Sequence, residues 1–258
     1  RLFRSRKEWE EDMARLAEIT KALECNFGAR LDVGGARVFF TSDDGTMVDD
    51  WDALVAVATL LCQVREHARI GVTLNAPQTL ERAVEPYRGR VRRLSLGSAA
   101  LMEAATTGEY DLVGDGAGGF IFPHFTPFID GMFALLQVIE LTKRAGRTLS
   151  DVWRERMPFV MRTDMVPVPS DHRGRMIRRL HEELNSDTDS DATKGLTIRE
   201  ETQQVLIWPS PDESGFQLYA EADTPEGADE MLSCYRKRVL EILEETTDTS
   251  GSDDTQPV

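Results

Sequence analysis

Apolar positions along the chain recur at helical spacing in several stretches. Trp9, Met13, Leu16, Ile19 and Leu23 follow at steps of three and four, which predicts a helix through about residue 24. Ser5-Arg6-Lys7-Glu8 ahead of them has the capping-box form. Ala29 to Phe40 reads as two short strands around Gly34-Gly35, and Asp43-Asp44-Gly45 is a hairpin turn signal. A second helix is expected from about Asp50, with Trp51, Leu54, Val55, Ala58, Leu61 and Val64 on its apolar side.

Strand and helix patterns then alternate. Ile70–Leu74 and Val91–Leu96 are strand-like, while Pro77–Pro86 and Ser98–Thr107 are helical. Short apolar strands between helices imply a parallel sheet with covered faces. Val113 to Pro123 follows, with four glycines in the six positions 114–119. So many glycines mark a loop where the backbone bends sharply or approaches something closely. Asp130-Gly131-Met132 opens a strongly apolar helix that Gly146 ends, and a short helix runs from Leu149 to Arg156. Pro158 is a candidate boundary.

The pattern changes after about Thr163. Val166–Val168 predicts a strand, and Ser170 caps a helix bearing Met176, Ile177, Leu180 and Leu184. Residues 185–191 read as a polar, flexible loop. Leu196–Arg199, Gln204–Trp208 and Gln217–Ala220 predict three strands, and Thr224-Pro225 starts a last helix to about Glu244. The order β-α-β-β-β-α sets this part off as a second, α+β domain. No internal repeat is visible.

Composition narrows the function classes. The 258 residues carry 30 Lys and Arg against 45 Asp and Glu, a net charge of −15. With hydrophobic residues at 41%, the chain has material for real cores. The negative balance argues against nucleic acid as a partner, because neutralising phosphates needs surplus Lys and Arg. No apolar run is long enough to span a membrane, and no signal peptide is visible. Cys25, Cys62 and Cys234 form neither a C-x-x-C pair nor a disulfide framework, so a cytoplasmic location is expected and Cys62 reads as a core hydrophobe. The chain opens on Arg1 and enters a helix almost at once, which reads as a fragment of something longer. His67, His124, His172 and His181 lack metal-ligand spacing. His124 is read as an exposed loop residue, and Arg173, Arg175, Arg178 and Arg179 as a solvated helix face.

Gly114–Pro123 with Asp130-Gly131, and Val205–Ala222 followed by Thr224-Pro225-Glu226, together resemble the α-D-phosphohexomutases, the phosphomannomutases and phosphoglucomutases. The resemblance extends over about residues 26–244. It implies an α/β fold, with phosphohexomutase-like mixed-sheet α/β domains followed by a smaller α+β C-terminal domain. On that reading residues 1–66 are the C-terminal part of a second domain, 67–160 a third, 161–245 a fourth, and 246–258 a disordered acidic tail. Family members share a cleft built by a phosphoserine loop, a D-x-D-x-D-R metal loop, a G-E-x-S-G-H sugar loop and an R-P-S-G-T-E-P phosphate loop.

Each loop present here departs from that pattern. The phosphoserine loop is missing. Asp32-Val33-Gly34-Gly35-Ala36-Arg37 aligns with the metal loop and keeps its first Asp and final Arg, with Gly34 and Ala36 in place of the other two carboxylates. One carboxylate holds a hard dication poorly, so Asp32 is a degenerate metal position, expected to be empty. Gly114-Asp115-Gly116-Ala117-Gly118-Gly119 aligns with the sugar loop: Asp115 replaces Glu, Ala117 replaces Ser and Gly119 replaces His. Asp115, Gly116 and Gly118 are the candidate sugar-binding positions; the bland alternative is that the glycines only preserve the chain path. In Trp208-Pro209-Ser210-Pro211-Asp212-Glu213-Ser214, Trp208 replaces the phosphate-binding Arg, and Ser210 and Glu213 are the surviving matches. A further family Arg aligns with Gln217. Two cations are lost, an anion is gained at Asp212, and Pro211 removes an N–H donor.

The losses agree with one another, so the expectation is a phosphohexomutase fold without its chemistry, and no catalytic residue is assigned. Phe120-Ile121-Phe122-Pro123, Asp130-Gly131-Met132-Phe133 and the Pro-Ser-Pro-Asp-Glu loop resemble the region fused to mannose-1-phosphate guanylyltransferase-like proteins. That subtype implies a structural, oligomerising or sugar-phosphate-sensing role. The implied partners are upstream nucleotidyltransferase or phosphohexomutase N-terminal domains, and a hexose phosphate. No cofactor is expected. The competing reading is a truncated active mutase interconverting hexose 1- and 6-phosphates, which would need Mg²⁺.

Overall fold

In the computed structural model, residues 6–183, 195–200, 202–210 and 215–250 are described, with side chains described as far as residue 246. The chain divides into two compact units, Arg1–Met157 and Pro158–Val258. The expected boundaries were 66/67 and 160/161. The stretch before residue 66 shares a unit with the helices and sheet that follow it.

The first unit opens with helix α1 (Arg6–Ala22) on an antiparallel pair, β1 (Phe27–Leu31) and β2 (Val38–Ser42). The approach of α1 is close: a Cβ added at Gly28 would meet Thr20 Oγ1 at 2.2 Å. Thr20 and Thr41 share a 3.0 Å hydrogen bond there. The inward side of α1 is Met13, Ala17 and Thr20, whereas Ile19 and Leu23, expected to face inward, are exposed. Ser5 lies outside the described residues.

Helix α2 (Asp50–Val64) is capped by Asp49, whose carboxylate accepts from the Trp51 N–H. Its eleven residues Asp52–Cys62 are all buried. It packs against β2, α3 (Thr79–Val84), α5 (Gly131–Ala145) and α6 (Leu149–Glu155), which is why its apolar positions run almost without a break. Burial pushes the Cys62 thiol up to about 12, so it stays a neutral core group.

The sheet has the order β4-β3-β5-β6. β3 (Arg69–Thr73) runs parallel to β4 (Arg90–Leu94) and β5 (Leu112–Gly114), with Ile70 opposite both Val91 and Leu112. β6 (Phe120–Ile121) is antiparallel to β5. The sheet is therefore mixed, and the glycine-rich segment turns between two paired strands. A 3-10 turn (Glu85–Tyr87) follows α3, and α4 (Ser98–Thr106) covers β3, β4 and β5. α5 starts on Asp130, whose carboxylate accepts from the Phe133 N–H at 2.9 Å, and ends at Gly146 in the left-handed conformation, φ +65°.

α6 is tied to α2 by a buried carboxylate. Asp52 accepts from Trp153 Nε1 at 3.0 Å and forms a bidentate ion pair with the Arg156 guanidinium.

The second unit is a four-stranded antiparallel sheet of order β7-β10-β9-β8 with two helices. β7 (Val160–Pro167) and β10 (Gly215–Ala222) are longer than the apolar pattern predicts, because their flanking polar residues still pair. β8 (Leu196–Glu200) and β9 (Gln203–Pro209) fall close to their predicted places. Between sheet and helices lie Val166, Val168, Leu196, Ile207, Phe216 and Leu218, with Met176 and Leu180 of α7 (Ser170–Glu183) and Val239 and Ile242 of the last helix, which follows β10. α8 (Pro225–Ser250) runs six residues past its expected end at Glu244. Thr246, placed by the sequence in a disordered tail, is buried and returns its hydroxyl to the carbonyls of Ile242 and Leu243. Leu184, the polar loop 185–191 and residues 251–258 lie outside the described residues.

Candidate functional site

The β1–β2 loop folds around Asp32. The Asp32 N–H donates to the Arg37 carbonyl at 3.0 Å, and the Arg37 N–H returns to Asp32 Oδ1 at 3.1 Å. The loop is anchored to the start of α5, where the Gly131 N–H donates to the Gly35 carbonyl at 3.0 Å. A Cβ on Gly131 would come within 2.7 Å of the Arg37 carbonyl carbon. The close fit accounts for the Asp130-Gly131 sequence: the Asp caps the helix and the Gly lets the hairpin in.

The β5–β6 loop meets the same hairpin. The Val38 N–H donates to the Gly118 carbonyl at 3.0 Å. Gly118 has φ +75°, and a Cβ there would also run into the Val38 carbonyl oxygen at 2.9 Å, so glycine is required on two counts. Asp115 lies between the loops. Its Oδ1 accepts from the Ala117 N–H at 3.0 Å and the Gly119 N–H at 2.9 Å. The Arg37 guanidinium closes on it in bidentate fashion, Nη1 to Oδ1 at 3.0 Å and Nη2 to Oδ2 at 2.9 Å. Arg37 Nη1 reaches the Ala117 carbonyl as well. The carboxylate is 15% exposed and the guanidinium 30%.

Gly119 makes this arrangement possible. A Cβ there would stand 2.7 Å from Asp115 Oδ1 and 2.8 Å from Oδ2. The shorter Asp side chain at 115 and the missing side chain at 119 work together, since the carboxylate folds back into the space that a side chain at 119 would fill. Gly116 fits the Trp51 indole in the same way: a Cβ on it would overlap the ring at 2.0 Å. Trp51 was read from the sequence only as an apolar helix residue. Its role beneath the loop becomes visible only when Trp51 and Gly116, far apart in sequence, meet.

Asp50 lies beside this pair. Its carboxyl is pushed up to about 7, chiefly by burial and then by the neighbouring charges of Asp49 and Asp115, with Arg37 acting in the opposite direction. His124 is exposed, with its ring edge-on to Phe122 and Phe133.

The residues present do not fit a magnesium ion. Asp32 Oδ1 already accepts from the Arg37 N–H. Positions 34 and 36, where two further carboxylates would be needed, carry Gly and Ala. Among the described residues no group of three His, Cys, Asp or Glu is placed to hold a metal.

In the second unit, Trp208 and Gln217 stand opposite each other on β9 and β10. These are the two positions where the family pattern has arginine. Ser210 is buried, and its N–H donates to the Gly215 carbonyl at 3.1 Å. Its own carbonyl accepts from Arg173 Nη1 at 2.9 Å, so one member of the basic run on α7 turns to the loop and is not simply solvated. Glu213, with Pro211, Asp212 and Ser214, lies outside the described residues. Of the predicted positions, the structure thus brings Asp32, Asp115 and Gly118 around Arg37 in the first unit, sets Gly116 against Trp51, and places Ser210 in the second unit.

Residues 50–159 match the family described as phosphoglucomutase/phosphomannomutase, alpha/beta/alpha domain III. The chain is phosphohexomutase-like. The matched segment begins at the start of α2 and ends just past the first unit. A probable phosphoglucosamine mutase of Pyrococcus furiosus is 24% identical over 235 residues, which are 89% of this chain and 51% of that protein. A phosphoglucomutase/phosphomannomutase of Thermococcus kodakarensis is 23% identical over 91% of this chain and 51% of its own length. The fold agrees with a phosphoglucomutase/phosphomannomutase family protein from Burkholderia thailandensis, with a TM-score of 0.74 at 17% identity over 91% of this chain and half of that one. A phosphomannomutase-like structure from Thermus thermophilus gives 0.66 at 18% identity, over 89% of this chain and half of that one. The phosphohexomutase-like chain spans about half the length of the curated relatives it matches. Among its described residues no helix is long and apolar enough to cross a membrane.

Proposed function

We propose that this chain keeps the phosphohexomutase scaffold without phosphoryl-transfer chemistry, as a module of a cytoplasmic mannose-1-phosphate guanylyltransferase-like protein. The observation that carries the reading is the bidentate Arg37–Asp115 pair. In this arrangement the carboxylate left on the sugar-type loop is held by a guanidinium and two backbone N–H groups. Its hydrogen bonds go to the protein and leave little for vicinal hydroxyls. The metal-type loop has one carboxylate, and the positions for two phosphate-binding arginines hold Trp208 and Gln217. Phosphoryl transfer rests on positioning and electrostatic stabilisation, so losing these together removes most of the catalytic power.

The same pair supports a structural role over a sensing one, because a sugar phosphate would have to break an existing ion pair to reach Asp115. The link to a guanylyltransferase rests on the Phe120–Pro123 and Asp130–Phe133 stretches. The upstream partner is then a nucleotidyltransferase domain, and no cofactor is needed by this region.

Differential scanning fluorimetry with mannose 1-phosphate, alongside a coupled mutase assay with glucose 1,6-bisphosphate and Mg²⁺, tests the proposal. The expected result is no conversion and no shift in Tm. A shift abolished by Asp115→Ala would assign the sensing role. Magnesium-dependent formation of the 6-phosphate would overturn the proposal and establish an active mutase. A nucleotidyltransferase in the same reading frame would support the assigned partner.

A further inference from the structure

Away from the candidate site, α2 borders a cavity of about 250 Å³. Thr59 lies on its wall, about 13 Å along the helix from Asp50. The rest of the wall comes from α3, the 3-10 turn after it, and α6 with its two flanks, all within the first unit.

This wall is cationic on a chain that is strongly acidic. Arg82, Arg147 and Arg156 line it against one carboxylate, Glu155, while the whole chain carries −15. Arg156 is already held by the buried Asp52. Arg147 is held by Glu155, Nη2 to Oε2 at 2.5 Å, and the two partners are unequal: the arginine side chain is 27% exposed and the glutamate 68%. A carboxylate reaching in from solvent gains little from such a pair, typically under about 1 kcal/mol. It is therefore an exchangeable occupant of a sheltered guanidinium, whose fork takes carboxylate and phosphate oxygens in the same geometry. Tyr87 adds a neutral donor. Its oxygen accepts from Gln63 Nε2 at 2.9 Å, which leaves the phenol O–H to donate elsewhere. Ala83, Pro86 and Val152 make the remaining wall apolar, and charge interactions strengthen where water is displaced.

We infer that this cavity binds a small inorganic oxyanion of the phosphate type, with Arg82, Arg147 and the Tyr87 hydroxyl as donors and Glu155 as the group it displaces. The volume lies below the roughly 300–1,000 Å³ of sites that take larger organic ligands, so a bare oxyanion fits and one carrying a hexose ring does not. The site is separate from the Arg37–Asp115 loops and stands whether or not those loops bind sugar.

Isothermal titration of the whole chain with inorganic phosphate, at an ionic strength held constant with sodium chloride, tests the inference. The expected result is saturable binding with Kd on the order of 1 mM, and none with chloride as titrant. Arg82→Met and Arg147→Met each weaken it by about tenfold. Glu155→Gln strengthens it by about threefold, because it removes the competing charge and no donor. Glu155 is exposed, so this variant folds and keeps the test decisive where an arginine variant loses stability. Mannose 1-phosphate gives no heat that Arg147→Met abolishes. Absence of saturable phosphate binding overturns the inference. So does binding that Glu155→Gln fails to strengthen, or that both arginine variants leave unchanged, since the anion would then sit elsewhere.

Discussion

The Arg37 guanidinium spans two loops to grip the Asp115 carboxylate through paired contacts of 3.0 and 2.9 Å, across 78 residues of sequence. The pair is partly shielded, and Arg37 adds a contact to the Ala117 carbonyl. A charge-assisted bidentate bond in this setting stabilises by about 1–2 kcal/mol after allowing for solvent screening. Arg37→Ala and Asp115→Ala are each expected to cost that much in urea unfolding. The double variant should cost well under the sum, since either substitution already breaks the shared contact. Full additivity would show that the two residues act separately.

Gly119→His tests whether the empty position is what lets Asp115 fold back. The new Cβ would sit 2.7 Å from the carboxylate oxygen, so Asp115 must leave Arg37 or the loop must move. A loss of about 1–3 kcal/mol in thermal unfolding is expected. In an Asp115→Ala background the same substitution should cost markedly less, because the clashing carboxylate is gone.

Asp50 makes stability depend on pH in an identifiable way. Its ordinary value is 3.8 and the folded value about 7. Between these, the folded chain keeps a proton that the unfolded chain has released, so this group's contribution to stability falls as pH rises from about 4 to about 7 and is level above that. Asp50→Asn removes the contribution. The difference in Tm between the variant and the parent should therefore widen in favour of the variant across that window, measured by calorimetry. A difference that stays flat would remove Asp50 as the cause.

Magnesium should leave the parent chain unaffected. Gly34 is open: a Cβ there would have only the Asp32 carboxylate oxygens near it, at 3.9 and 4.0 Å. Gly34→Asp with Ala36→Asp rebuilds three carboxylates on one loop. That variant is expected to gain a magnesium-dependent rise in Tm, and the parent none. A rise in the parent would mean that Asp32 recruits ligands from elsewhere.

The Asp52–Arg156 pair is more deeply buried than Arg37–Asp115. Asp52 is 5% exposed. Arg156→Ala leaves that carboxylate buried with the Trp153 indole N–H as its surviving side-chain donor. A loss of about 3 kcal/mol is expected, against a smaller one for the Asp52→Asn/Arg156→Met double variant, which removes both charges.

Local patterning made most elements legible. A helix start near Asp50, another at Asp130, Gly146 as a stop, and the β-α-β-β-β-α order of the second unit all act within a few residues, and the local pattern carries them. The loops of the candidate site were legible too, because substitutions within each loop are read against a short pattern. The pairing of those loops was not. Arg37 with Asp115 and Trp51 with Gly116 are contacts across long sequence separation, and no local signal encodes them. The inward face of α1 was misjudged at Ile19 and Leu23 because hydrophobic spacing gives a stripe but not which edge of it the β1–β2 pair covers. The neighbours of α2 were not legible either, because it carries apolar residues all round and periodicity alone does not say which elements they serve.

The grip of Arg37 on Asp115 gives both positions a reason to persist that is indifferent to any ligand. A pair maintained by folding alone is replaced jointly or not at all, so natural variants of this chain should exchange the two together, as covarying neighbours, while positions 34 and 36 drift freely.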